Sequence, residues 1–129
     1  MKLGLICFRL TNEFRARNSL MTQEWCSELY LIALAHSKDM AHKRVPFGHK
    51  GFARRCRMVT YQHRGFYENV AYCSYLDNND KLSEEVVNGW INSPGHKRNM
   101  LANANLSAVA AYATESSDIY YFTQLFALR

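Results

Sequence analysis

The sequence predicts an α+β fold in which a small antiparallel sheet lies between helices. Three observations predict it. Apolar residues recur at helical spacing early in the chain and again before Pro94, two strand-like segments close the chain, and the last of these carries large apolar side chains at both parities. A strand that is apolar on both faces needs cover on both faces. Amphipathic helices supply that cover, which gives an α-β-α sandwich.

From about Leu3 to Asn18, Leu3, Cys7, Leu10 and Phe14 recur at three- and four-residue steps while Arg9, Glu13 and Arg17 lie off that stripe, as in an amphipathic helix. The opening Met1, Lys2 and Leu3 to Phe8 imitates a secretory signal. Charged residues follow at once and no small-residue cleavage site appears, so the segment reads as the first helix of the domain. A second helix is expected from a Thr22 cap to about His42, with Trp25, Leu29, Ile32, His36 and Met40 on one face. Lys43 to Gly65, with Pro46, Gly48, Gly51 and many arginines, reads as a long excursion holding at most short helical turns, and excursions of that length are usually functional.

Glu68 to Tyr75 supplies a short strand, and Asn78, Asn79 and Asp80 a turn and helix start. Leu82, Val86, Val87, Trp90 and Ile91 give the next helix its buried face, Ser93-Pro94-Gly95 breaks it, and a short helix runs from about His96 to Leu101. Leu106 to Thr114 and Ile119 to Leu128 are the closing strands, joined by the polar connector Glu115 to Asp118. The predicted core includes Trp25, Ile32, Val86, Trp90, Phe122 and Leu125.

At 129 residues, with 48% hydrophobic and 13% aromatic content, the chain reads as one domain spanning 1–129 with enough apolar material for a core, which excludes disorder. No apolar run reaches the roughly 18 to 20 residues that a membrane-spanning helix needs. The formal charge of +5 biases the surface toward phosphate groups and anionic ligands. No nucleic-acid-binding motif accompanies that charge, so no specific nucleic-acid partner is expected. Cys7, Cys26, Cys56 and Cys73 contain no CxxC pair; small buried hydrophobes, disulfides and zinc-thiolate ligands remain open as readings, in that order of weight.

Three ordered blocks carry a resemblance: Gly65-Phe66-Tyr67-Glu68-Asn69-Val70-Ala71, the stretch Gly89-Trp90-Ile91-Asn92-Ser93-Pro94-Gly95-His96 continuing to Leu101, and Tyr120 to Phe126. Together they closely resemble the CAP superfamily, the SCP-like group of cysteine-rich secretory, antigen 5 and pathogenesis-related-1 proteins, and its short bacterial-type and protist-type members in particular. Thr11 to Asn18 looks like that family's first helix, and His36 to Met40 like the end of its second. The resemblance implies an α-β-α sandwich and a cleft of two histidines and two glutamates, here His49, Glu68, Glu85 (aligned by its distance before Trp90) and His96. It implies Zn²⁺ or another divalent cation at His49 and His96, and neutral imidazoles suit such metals while carboxylates ligate or orient the rings.

By resemblance the chain is a non-enzymatic, secreted binding module whose partners are sterols, fatty acids or anionic phospholipids. The alternative is a metal-dependent hydrolase that uses the same cleft through metal-activated water, since no Ser or Cys sits in a nucleophile elbow and no catalytic residue is assigned. An extracellular location follows from the resemblance; the lack of a clear signal peptide makes the cytoplasm the alternative. Lys43, Arg44, Arg54, Arg55, Arg57, Arg64, Lys97 and Arg98 cluster in the cleft segments and read first as a solvated basic surface, second as an anionic-lipid contact. His36 is expected to be a hydrogen-bonded core residue, and His42 and His63 to be solvated. Where the family often carries glycines, Leu106 to Tyr112 is more crowded.

Overall fold

Helices and strands alternate as α1 (Lys2–Arg17), β1 (Glu24–Trp25), α2 (Ser27–Ala41), α3 (Phe52–Met58), β2 (Gly65–Ser74), α4 (Asn79–Ile91), α5 (Pro94–Met100), β3 (Leu106–Tyr112) and β4 (Ile119–Leu128), in a computed structural model that describes residues 1–129. The strands form one sheet in the order β1-β3-β4-β2. β4 is central to it. It pairs antiparallel with β2, Gly65 opposite Leu128 and Ser74 opposite Ile119, and antiparallel with β3 on its other side.

Side-chain alternation along the strands divides the core into two layers. Val109, Phe122 and Phe126 pack with Leu3, Cys7 and Phe14 of α1 and with Leu82, Val86, Val87 and Trp90 of α4. Ala108, Ala110, Leu125 and Ala127 pack instead with Leu29, Ile32 and Ala33 of α2. The α-β-α sandwich predicted from the two-faced apolar content of the last strand is therefore the observed architecture. Small residues let the layers close. A Cβ at Gly4 would overlap the Val109 carbonyl oxygen, so α1 rests directly on β3. The crowded Leu106 to Tyr112 strand is thus an interior element, covered by α1 and α2.

Three expectations are corrected. The second helix does not begin at Thr22: Glu24 and Trp25 form a short strand parallel to Leu106 and Ser107, and α2 starts at Ser27 with Cys26 as its N-cap. The Glu24 and Cys26 N–H groups donate to the Asn105 and Ser107 carbonyls at 2.9 and 3.0 Å, so the sheet edge satisfies groups that a helical turn would otherwise use. The sheet is accordingly mixed, not wholly antiparallel. Trp25, expected in the core, is only half-buried at that edge, with its ring edge-on to Phe8 at 5.3 Å. The remaining predicted core residues, Ile32, Val86, Trp90, Phe122 and Leu125, are all buried.

α4 begins on Asn78, whose side chain accepts from the Lys81 N–H at 2.9 Å as an N-cap. α5 follows at once, with Pro94 in its first turn. Its last carbonyls are collected by Arg15 of α1, which is buried and donates to the Met100 and Ala102 carbonyls at 2.9 Å each. That guanidinium caps the C-terminal end of the helix whose first turns carry His96.

Trp90 is 2% exposed, fills the space between α1, α4 and the sheet, and donates its indole N–H to the Val70 carbonyl at 3.1 Å. Trp90→Ala is expected to cost roughly 3 to 5 kcal/mol through lost transfer energy and a residual cavity. Chemical denaturation checks this, and a loss below about 1 kcal/mol would place the ring outside the core.

Candidate functional site

The long excursion returns to the sheet through one buried ion pair. Arg55, on α3, donates from Nε to Glu68 Oε2 at 2.6 Å and from Nη2 to Glu68 Oε1 at 2.7 Å, a two-pronged contact with a carboxylate whose side chain is 0% exposed. Its other donors are also engaged. Nη1 reaches the Lys50 carbonyl at 2.8 Å and His36 Nδ1 at 3.1 Å, and Nη2 reaches the His49 carbonyl at 3.3 Å. Arg55, which the sequence places in a solvated basic surface, is instead buried and structural. It stands in a run of arginines, and only the return of α3 onto β2 separates it from exposed Arg54 and Arg57.

His36 accepts from Arg55 at Nδ1, so its Nε2 carries the proton and donates to the Gly48 carbonyl at 2.8 Å. The ring is buried, as expected for a core histidine. Burial, and secondarily the Arg55 charge, hold its pKa below the ordinary imidazole value, although the Gly48 bond pulls the other way.

His49 follows Gly48, whose φ of +142° lies in the region that favours glycine. Its Nδ1 donates to Glu68 Oε1 at 2.8 Å, while the side chain remains 52% exposed, so Nε2 is left facing outward. His96, in the first turns of α5, is half-buried and has Nδ1 against Ser93 Oγ at 2.8 Å, which again leaves Nε2 unengaged. Burial lowers the His96 pKa, with a smaller contribution in the same direction from the His49 charge.

A chain of buried and half-buried amides sets the turn carrying His96 against the Glu68 strand. Asn69 donates from Nδ2 to the His96 carbonyl at 3.1 Å and to Gln124 Oε1 at 3.0 Å, and its Oδ1 accepts from Asn99 Nδ2 at 2.9 Å. Gln124 in turn donates to Thr11 Oγ1 at 2.9 Å, which ties the relay to α1. Such groups are expensive to bury without partners. The sequence does not mark Asn69, Asn99 or Gln124 as site residues, although all three stand inside the family-like blocks.

Glu85 is exposed on α4 and lines one cavity of about 360 Å³ together with His96, Trp90, Val70, Phe47 and Tyr72. The structure thus joins His49 to Glu68 directly and puts Glu85 and His96 on the walls of one apolar cavity. No three His, Cys, Asp or Glu side chains form a group able to hold a metal ion. In both His49 and His96 the Nδ1 nitrogen is engaged by an oxygen, and Nε2 has no hydrogen-bond partner.

The family model for the cysteine-rich secretory protein (CAP) family matches residues 8–126. The chain belongs to the CAP family. It is 30% identical over 126 residues to the uncharacterized membrane protein YlbC of Bacillus subtilis, covering 93% of this chain and 33% of YlbC. To YkwD of the same organism it is 31% identical over 117 residues, covering 86% of this chain and 42% of YkwD. The chain therefore spans between a third and a half of each of these relatives. An extracellular SCP-domain protein of Bacillus anthracis superposes with a TM-score of 0.77 at 24% identity, covering 99% of this chain and 41% of that one. An outer surface protein of Borrelia burgdorferi superposes with a TM-score of 0.75 at 22% identity, covering 95% of this chain and 89% of that one. These likenesses show the fold.

Other expectations for the CAP chain are resolved by the geometry. His42 is exposed, whereas His63, expected in solvent, is half-buried and bonded to Cys56. Lys43, Arg44, Arg54, Arg57, Arg64, Lys97 and Arg98 are exposed, and Arg44 pairs with Asp39 at 2.8 Å. All four cysteines are free thiols, and only Cys7 is fully buried. No helix is long and apolar enough to cross a membrane.

Arg55→Met leaves a buried carboxylate without its partner and is expected to destabilise the fold by about 3 to 5 kcal/mol, whereas the double variant Arg55→Met/Glu68→Leu recovers most of that loss. Urea unfolding of the three chains decides it, and an Arg55→Met loss near zero would mean that the pair is solvated. A second expectation concerns pH. Because the folded-state pKa of His36 is depressed, its stabilising contribution is present above the unfolded value of about 6.5 and is lost as pH falls through the lower folded value. Stability measured across that range should fall with acid in the wild type and fall less steeply in His36→Gln; equal slopes would contradict the assignment.

Proposed function

We propose that this CAP domain is a non-enzymatic extracellular binding module whose cleft holds a divalent cation, Zn²⁺ in the first instance, through His49 Nε2 and His96 Nε2. The observation that carries this is the shared state of the two rings: Glu68 holds His49 and Ser93 holds His96 by Nδ1, each leaving Nε2 available. When bound, such a cation would supply a Lewis-acid centre with positions open to water or an anion. Burial favours the neutral form of His96, which is the form that ligates.

The adjoining cavity suits the apolar part of a ligand. Its walls are mostly hydrophobic, and Phe47 and Tyr72 meet edge to face at 4.9 Å at its rim. A sterol, a fatty acid or the acyl part of an anionic phospholipid is the ligand class proposed, with exposed Lys97 and Arg98 on the neighbouring helix to attract an acidic group. A hydrolytic role in the same cleft is less well supported. Glu68 is sealed from solvent with its oxygens given to Arg55 and His49, so it is not placed to take a proton from water.

Isothermal titration with Zn²⁺ tests the reading. One ion per chain is expected for the wild type, with each of His49→Ala and His96→Ala lowering affinity by about tenfold or more. The double variant is expected to show no binding while keeping its circular dichroism. Affinity should weaken as pH is lowered from about 7.5 to about 5, since protonated imidazole cannot ligate. Unchanged binding by the folded double variant would overturn the proposal.

A further inference from the structure

A second pair of chemically matched side chains lies apart from the cleft. Cys56, on α3, has its Sγ 3.4 Å from His63 Nε2, and neither residue lines the cavity shared by Glu85 and His96. His63 Nδ1 lies 3.1 Å from the Tyr61 carbonyl, which can only accept. Nδ1 therefore carries the proton, and Nε2 is the acceptor turned toward the thiol. A base that faces a thiol while its other nitrogen is fixed by an acceptor is the minimum arrangement for activating a sulfur nucleophile.

The other three thiols lack this arrangement. Cys7 is completely buried, and burial pushes its pKa up to about 12. Cys73 is also raised, by burial and by the nearby Glu85 charge, and its Sγ points to the Ser74 carbonyl at 3.4 Å. Cys26 faces the Tyr61 hydroxyl at 3.5 Å, and no imidazole contacts it. Cys56 alone is both partly accessible and paired with an imidazole.

Beside His63 is an open cavity of about 360 Å³, whose lining includes Arg64 and Arg129. The Arg129 guanidinium lies over the Tyr61 ring, 4.8 Å from its centre, and lines the cavity together with His63. These two cations share that cavity with His63 and favour reagents that carry carboxylates.

We propose that Cys56 and His63 form a nucleophilic thiol–imidazole site that reacts with low-molecular-weight disulfides bearing carboxylates, forming a mixed disulfide at Cys56. In the step, the Cys56 proton passes to His63 Nε2 and the sulfur attacks one sulfur of the reagent. The Cys56–S bond forms as the reagent's S–S bond breaks, and the departing thiolate takes a proton from His63 or water. Cys56 is oxidised, the reagent supplies the oxidising equivalents, and one reduced thiol is released.

The test uses the intact chain and 5,5′-dithiobis(2-nitrobenzoate), a disulfide with two carboxylates. One thiol is expected to react at least about tenfold faster than the others, and mass spectrometry of the product should place the adduct on Cys56. Cys56→Ser should abolish the fast phase. His63→Asn, which keeps a donor for the Tyr61 carbonyl but removes the base, should slow it about tenfold with an unchanged melting temperature. Relative to a free small thiol, the neutral 4,4′-dithiodipyridine should gain less from the site than the dianionic reagent. An adduct on Cys26 or Cys73, a fast phase that survives Cys56→Ser, or a wild-type rate in His63→Asn would overturn the proposal. Equal relative rates for the two reagents would remove the assigned preference for carboxylates.

Discussion

A carboxylate with no solvent exposure dictates much of this structure. The Glu68 side chain is sealed inside the fold, and its charge is tolerable only because the Arg55 guanidinium meets both oxygens and His49 meets one of them again. Those partners come from the segment between α2 and β2, so the need to compensate one buried charge pulls a long excursion back onto the sheet. The same guanidinium reaches His36 and two backbone carbonyls, and thereby connects α2, the excursion and β2 at one point. A loop of this length would otherwise have few reasons to adopt a single conformation.

The turn that carries His96 depends on a different device. Asn69, Asn99 and Gln124 exchange amide hydrogen bonds across β2, β4 and α5, while Trp90 bonds to the Val70 carbonyl and Arg15 gathers the carbonyls at the end of α5. These polar groups are matched to partners, so the position of the turn holding His96 is set by polar satisfaction as much as by apolar packing. The His49 ring and the turn that carries His96 are therefore held by separate networks, one charged and one neutral, that meet at Glu68, whose backbone carbonyl accepts from Asn99 at 3.1 Å.

Much of this is legible in the sequence, and the failures have physical causes. The two-faced apolar pattern of Ile119 to Leu128 correctly requires helices on both sides, because alternation maps directly onto faces of a strand. Periodicity misplaces the start of α2 because Glu24 and Trp25 are compatible with helical spacing, and only their pairing with Leu106 and Ser107 makes them a strand. Edge pairing of that kind is a long-range property with no local signature. Arg55 is hidden for a related reason: its neighbours Arg54 and Arg57 are exposed, and nothing in a basic run distinguishes the one member that turns inward. His63 shows the same limit, since its partner Cys56 precedes it by seven residues across the end of a helix.

The proposed cation site depends above all on Glu68 fixing the ring of His49 with its proton on Nδ1, which leaves Nε2 without a partner. Long-range ¹H–¹⁵N correlation spectra of the histidine side chains read that state directly in the metal-free wild-type chain. The expected result is a His49 ring held as the Nδ1–H form, with the Nε2 nitrogen resonating as an unprotonated acceptor. A His49 ring found as the Nε2–H form would contradict it.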